Sequence, residues 1–142
     1  MHLRFNMDKT DLEKVLNNAI DLAKRELEKN GVLAPFSCSL NDGRLELQMA
    51  AIEGANVPTK ETVKTLKNGL RELSKDSKNT VLVLCADVRM TEPKEQDAIA
   101  LQIEGRDGTS LIAHLPYSKS IQGEIIYGEM QFAKGNAEFF VT

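Results

Sequence analysis

Few side chains in this chain are of the types that carry out covalent chemistry, and their spacing limits what each can do. His114 is the only histidine inside a regular hydrophobic pattern. A histidine acts as a general base when an acid or nucleophile lies within hydrogen-bonding distance. His114 sits between Ala113 and Leu115 in an alternating run, so it faces away from them, and no partner is placed beside it. The pattern reads as a surface or interface histidine. Cys38 and Cys85 would be nucleophiles only where a cationic neighbour lowered the thiol pKa. Each shares a face with apolar residues, Cys38 with Phe36 and Leu40, Cys85 with Val81 and Val83. Both are expected to be buried thiols. No Cys-x-x-Cys pair and no adjacent histidine supports a redox or zinc role.

Asp87, Arg89, Glu92, Glu95 and Asp97 flank one polar loop. Carboxylates in that number suit a divalent cation, but the Gly-centred spacing of a calcium loop is missing. Exposed charge that keeps a strand edge soluble accounts for them. Gly105-Arg106-Asp107-Gly108 is not followed by a helix pattern, and neither a Walker-type nor a dinucleotide fingerprint is present. A turn explains it. The sequence therefore implies no catalytic residue, no metal ligand and no cofactor.

The elements that position these residues can be read from period and turn chemistry. Over 97–117, Ile99, Leu101 and Ile103 alternate before a Gly-containing turn, and Leu111, Ala113, Leu115 and Tyr117 alternate after it. A three-residue Arg106-Asp107-Gly108 loop puts both apolar sets on one face and pairs Ile103 with Leu111, Leu101 with Ala113, and Ile99 with Leu115. Upstream, an Asp42-Gly43 loop pairs Leu40 with Leu45, Cys38 with Leu47, and Phe36 with Met49; Asp-Gly favours a type I′ turn. A first helix begins near Thr10, which forms a capping box with Glu13. Its apolar stripe is Leu12, Val15, Leu16, Ala19, Ala23 and Leu27, and Gly31 stops it. After a loop over 54–58, Thr59 caps a second helix with Val63, Leu66, Leu70 and Leu73 on one stripe. Gly69 inside it suggests close packing on the sheet. The run 81–86 is apolar on both faces, as in a strand covered on both sides. Beyond Ser120 the pattern predicts a strand through Ile125, Ile126, Tyr127, Met130 and Phe132, broken near Gly128. A turn follows at Gly135-Asn136, and a last strand over 137–141 places Phe139 opposite Phe132.

The expected fold is a single α+β domain over 1–142, with a mainly antiparallel sheet of five to seven strands and two helices. Length and composition agree. A chain of 142 residues, 42% hydrophobic and 27% charged, can bury a core without staples. A net charge of -3 with no Lys/Arg run argues against nonspecific nucleic-acid binding. No apolar run approaches membrane-spanning length, and the N-terminus shows no signal-peptide pattern. The expected location is cytoplasmic.

The order of helices and strands over about 10–117 resembles that of profilin-like and roadblock-type domains, which implies an antiparallel sheet with helices packed on it. The segments Asp97-Ala98-Ile99, 104–108 and Leu115-Pro116-Tyr117 also resemble a family of small uncharacterised bacterial proteins, a likeness that brings no chemistry with it. Fold likeness does not assign function.

The functional hint lies on the outward face of the 97–117 hairpin. Ala98, Ala100, Gln102, Ile112 and His114 are presented there, beside Leu82, Leu84 and Ala86 of the neighbouring strand. An uncovered surface of this kind marks a partner interface; the alternative is that one helix covers each face. The sequence thus favours a non-enzymatic binding module forming a homodimer or engaging another protein. Two other readings stay open: an immunity or inhibitor protein that meets a basic partner, and a small hydrolase or transferase using the Asp87–Asp97 loop with His114.

Overall fold

The computed structural model describes residues 9–48 and 59–140. The first helix, α1 (Lys9–Asn30), begins one residue before Thr10, so Thr10 lies within its first turn. Val15, Ala19, Ile20, Ala23 and Leu27 are its buried residues. Ile20 joins the expected stripe because an apolar face spans more than one line of positions. Gly31 ends α1 at φ +74°, and its N–H donates to the Leu27 carbonyl at 2.8 Å, as expected of a glycine stop.

β1 (Phe36–Asn41) and β2 (Arg44–Gln48) form the first hairpin, with Leu40 opposite Leu45 and Cys38 opposite Leu47 as expected. Asp42 and Gly43 both have positive φ, +49° and +77°, the signature of a type I′ turn. The expected Phe36–Met49 pair and the 54–58 loop lie outside the described residues. Helix α2 (Thr59–Leu73) carries Leu66 and Leu70 buried, with Val63 and Leu73 beside them. Gly69 does not pack on the sheet: it is exposed, and a Cβ there would meet nothing within 4 Å.

β3 (Asn79–Met90), β4 (Gln96–Gly105) and β5 (Ser110–Lys119) are the long strands. The β4–β5 register is the expected one, with Ile103 opposite Leu111, Leu101 opposite Ala113, and Ile99 opposite Leu115. Gly108 closes the loop at φ +98°. The continuation past Ser120 is broken near Gly128, giving β6 (Ile125–Tyr127) and β7 (Gln131–Lys134), each paired with β5. The strand order is β2-β1-β3-β4-β5, followed by β6, with β7 also on β5; every pairing is antiparallel. The fold is therefore α+β, with two helices and a seven-stranded antiparallel sheet.

The two helices take opposite faces. α1 lies over the odd-numbered apolar positions of β3, β4 and β5, among them Val83, Leu101 and Ala113, and buries them in one large core. The opposite face carries a smaller core, made by Leu66 and Leu70 of α2, Leu82 and Leu84 of β3, and Phe139. The expected final strand over 137–141 is absent among the described residues, and Gly135-Asn136 is not a turn. Gly135 instead donates its N–H to the Ser110 carbonyl at 3.1 Å. Residues 135–138 then run without regular structure, and Phe139 enters the second core rather than facing Phe132. The physical reason is a competing set of hydrogen-bond acceptors, described below. No helix among the described residues is long and apolar enough to cross a membrane.

Candidate functional site

Strand register fixes which side chains share a face, because side chains alternate with period two. On the α2 side of the sheet, successive cross-strand rows read Val88–Ala98–Pro116, Ala86–Ala100–His114–Gln131, Leu84–Gln102–Ile112–Ala133 and Leu82–Glu104–Ser110. All five residues expected at an interface lie on this one face. The structure treats them differently. Ala98 is fully buried within the chain. Gln102 is engaged: its Nε2 donates to Glu138 at 2.7 Å and to Glu104 at 3.3 Å. Ala100, Ile112 and His114 are half-buried and belong to neither core. The roof formed by α2 and Phe139 covers Leu82 and Leu84 but leaves these three side chains partly open.

Glu104 was not singled out by any sequence motif, yet it organises this face. It is 1% exposed. A buried carboxylate needs several donors to offset its lost hydration. Here the Glu138 N–H donates to Oε2 at 2.8 Å, and the N–H groups of Phe139 and Phe140 donate to Oε1 at 2.9 and 3.3 Å. Capture of three successive N–H groups replaces the ladder that a strand would have used, which is why 137–140 does not pair as a strand. Lys67 meets the Glu138 carboxylate at 3.1 Å. Hydrogen bonding from Gln102, followed by the Lys67 and Arg71 charges, holds Glu138 below its ordinary pKa.

The charged loop lies at the far end of the sheet, and its key groups occupy the α1 face. Arg89, Asp97, Tyr117 and Tyr127 form one cross-strand row, with Asp87 one row further in. Asp97 stands opposite Tyr117, but the Tyr117 hydroxyl donates to Asp87, with both carboxylate oxygens at 2.8 Å. Arg89 bridges to Asp97 at 3.3 Å and to Glu95 at 3.9 Å. An open cleft of about 490 Å³ is lined here by Arg89, Glu95, Asp97, Tyr117, Lys119 and Tyr127, among others. Burial raises the Asp87 pKa, opposed by the Tyr117 hydrogen bond. Burial and then the Asp87 carboxylate push Tyr117 well above the ordinary tyrosine value. Tyr127 is pushed up to about 12, first by burial and then by Glu28, to which its hydroxyl donates at 3.2 Å. The two tyrosine shifts keep the hydroxyl protons in place, so the cleft offers hydrogen bonds and mixed charge rather than an activated nucleophile.

His114 lies on the opposite face from Asp87 and Asp97, so the sheet itself separates the groups that an Asp87–Asp97 loop enzyme would need together. The thiols are free and buried, as expected. Burial pushes Cys38 up to about 11 and raises Cys85 as well, the opposite of what a reactive thiolate requires. Among the described residues, no group of three or more His, Cys, Asp or Glu is placed to hold a metal ion.

Comparison with protein-family models, with curated proteins and with solved structures gave no significant match.

Proposed function

We propose that the protein is a non-enzymatic binding module that associates with a second copy of itself through the α2 side of its sheet. The observation that carries this reading is the incomplete roof: Ala100, Ile112 and His114 stay half-exposed beside a core that buries Leu82 and Leu84 on the same face. Ala86 and Ala100 are adjacent in one row. Side chains this small let a second surface approach the sheet closely, and sheets packed face to face lie about 10 Å apart. Self-pairing would remove the remaining apolar area from water on both copies at once. The mixed charge around the cleft gives an acidic inhibitor surface no support, and the separation of His114 from Asp87 gives none to the hydrolase reading.

Sedimentation across a wide concentration range tests the proposal. A dimer is expected, and Ala100→Arg, which sets a charge in the middle of the contact, should shift it to monomer while the melting temperature changes little. A monomer at every concentration overturns the reading. A dimer indifferent to Ala100→Arg places the contact elsewhere on the molecule and overturns this surface.

A further inference from the structure

One line along α2 carries charge of a single sign. Lys60, Lys64, Lys67 and Arg71 recur at intervals of four, three and four residues, the spacing that stacks side chains along one edge of a helix. Lys75 continues the interval just past the helix end. Lys60, Lys64, Arg71 and Lys75 are exposed, and Lys67 is half-buried. Successive members lie ~4.5–6 Å apart along the axis. Charge is segregated to make this ridge. α1 holds five basic and five acidic residues, whereas α2 holds four basic and two acidic, in a chain whose net charge is -3.

Helix stability does not call for the arrangement. Like charges four residues apart repel, as at Lys60–Lys64, Lys67–Arg71 and Arg71–Lys75. Lys60 also stands in the first turn of α2, where the helix dipole disfavours a cation. At the far end Lys75 meets Glu72 at 3.0 Å. Lys60 and Lys64 make no ion pair among the described residues.

The middle of the ridge shows what it takes. The Glu138 carboxylate meets Lys67 at 3.1 Å, and the Glu138 carbonyl accepts from Arg71 Nε at 2.9 Å. Residues 135–138 have no regular structure, so the group seated there is an acidic residue of an irregular stretch of polypeptide, held by side chain and backbone together. Alternate residues of an extended chain point the same way ~6.6 Å apart, close to the spacing of the ridge. Other polyanions fit less well. α2 has no aromatic residue on which bases could stack. Its apolar stripe, with Leu66 and Leu70, is buried in the second core and cannot enter a bilayer.

We propose that Lys60 and Lys64, continuing the row occupied by Glu138, dock an extended acidic segment of a partner protein. The proposal is independent of self-association.

Fluorescence anisotropy of the full chain with a labelled peptide of alternating Glu and Ser tests it. The unaltered protein should bind, less tightly as salt is raised. The double variant Lys60→Gln, Lys64→Gln should bind about tenfold more weakly, while its melting temperature holds or rises because repulsion within the helix is relieved. Lys9→Gln, Lys29→Gln removes the same charge from exposed positions of α1 and should bind as the unaltered protein does. A peptide of alternating Gln and Ser should not bind. Absence of binding to the Glu peptide, equal binding of the Gln peptide, or an equal loss in both double variants overturns the proposal. So does a fall in melting temperature for the α2 variant, since those lysines would then serve the fold. Tighter binding of duplex DNA or of phosphatidylserine vesicles, at equal anion concentration, gives the ridge to nucleic acid or to a membrane and overturns a protein partner.

Discussion

The two faces of the sheet are built from the same strands yet solve burial in different ways. Under α1, four adjacent strands, β1, β3, β4 and β5, contribute aligned apolar residues, and a 22-residue helix spans them. Under α2, the core is five residues, and the same rows contain buried Ser39 and Glu104 and the unpartnered Ser110 hydroxyl. The first face is closed mainly by hydrophobic pattern, with polar contacts such as Tyr127–Glu28 at its edge. The second is closed by a charge that recruits backbone from far along the chain. A face closed by pattern opens only when the fold is lost. One closed by a few specific bonds can open locally, since regions with fewer buried apolar contacts open at lower free energy.

The largest effect expected from this contrast lies on the α1 side. Leu101 is fully buried there. Leu101→Ala should cost about 2–5 kcal/mol in urea unfolding, the range for a cavity that cannot collapse. Phe139→Ala removes a larger side chain, equally buried, but its segment can detach. The loss should fall below the ~3–5 kcal/mol usual for a buried phenylalanine. A Phe139→Ala cost equal to or above that of Leu101→Ala would erase the distinction between the faces.

Next in size are the groups at the charged end of the α1 face. Tyr117→Phe leaves the partly buried Asp87 carboxylate without its donor and should cost about 1–3 kcal/mol at neutral pH. The gap should narrow as pH falls and Asp87 takes up a proton. The wild-type tyrosines give a second test. Both pKa values are raised in the fold, Tyr127 to about 12 and Tyr117 further. The sign is that of a neutral group favoured by folding: this contribution is fully present below the ordinary value of 10.0 and is lost as pH rises towards the folded values. Ultraviolet titration should show little tyrosinate at pH 10 in folded protein and about half in urea, since the chain has only these two tyrosines.

Smaller effects are expected in the turns and in α2. Gly43→Ala and Gly108→Ala each place a side chain at positive φ and should lower stability by about 1 kcal/mol, read from thermal melts. Gly69→Ala should act the other way. The position is helical, exposed and open around its missing Cβ, so a gain of up to about 1 kcal/mol is expected.

Legibility in the sequence divides along the same line. The two hairpins could be read to the residue because turn chemistry and side-chain alternation constrain register independently: Asp42-Gly43 demands one pairing, and the apolar set of 99–103 with 111–117 demands another. The outward placement of Ala100 and His114 followed from that register. The path of 135–140 could not be read, because Phe139 alternates with its neighbours as a strand residue would. The signal that overrides alternation is Glu104, 35 positions away from Phe139 in sequence. One charged residue in a strand carries no mark of burial. The Asp87–Tyr117 bond was missed for a related reason. Tyr117 stands opposite Asp97, and only its length carries the hydroxyl to the next row, a diagonal reach open to long side chains.

The positions of Cys38 and Cys85 give the molecule a built-in clock. Both thiols sit on the α1 face of adjacent strands, one row apart, sealed beneath the helix. A thiol reagent can therefore modify them only during excursions that lift α1 from the sheet. Events confined to the other face leave them untouched. Their labelling rate, followed as denaturant is added, times the rarest opening of the chain with no engineered probe.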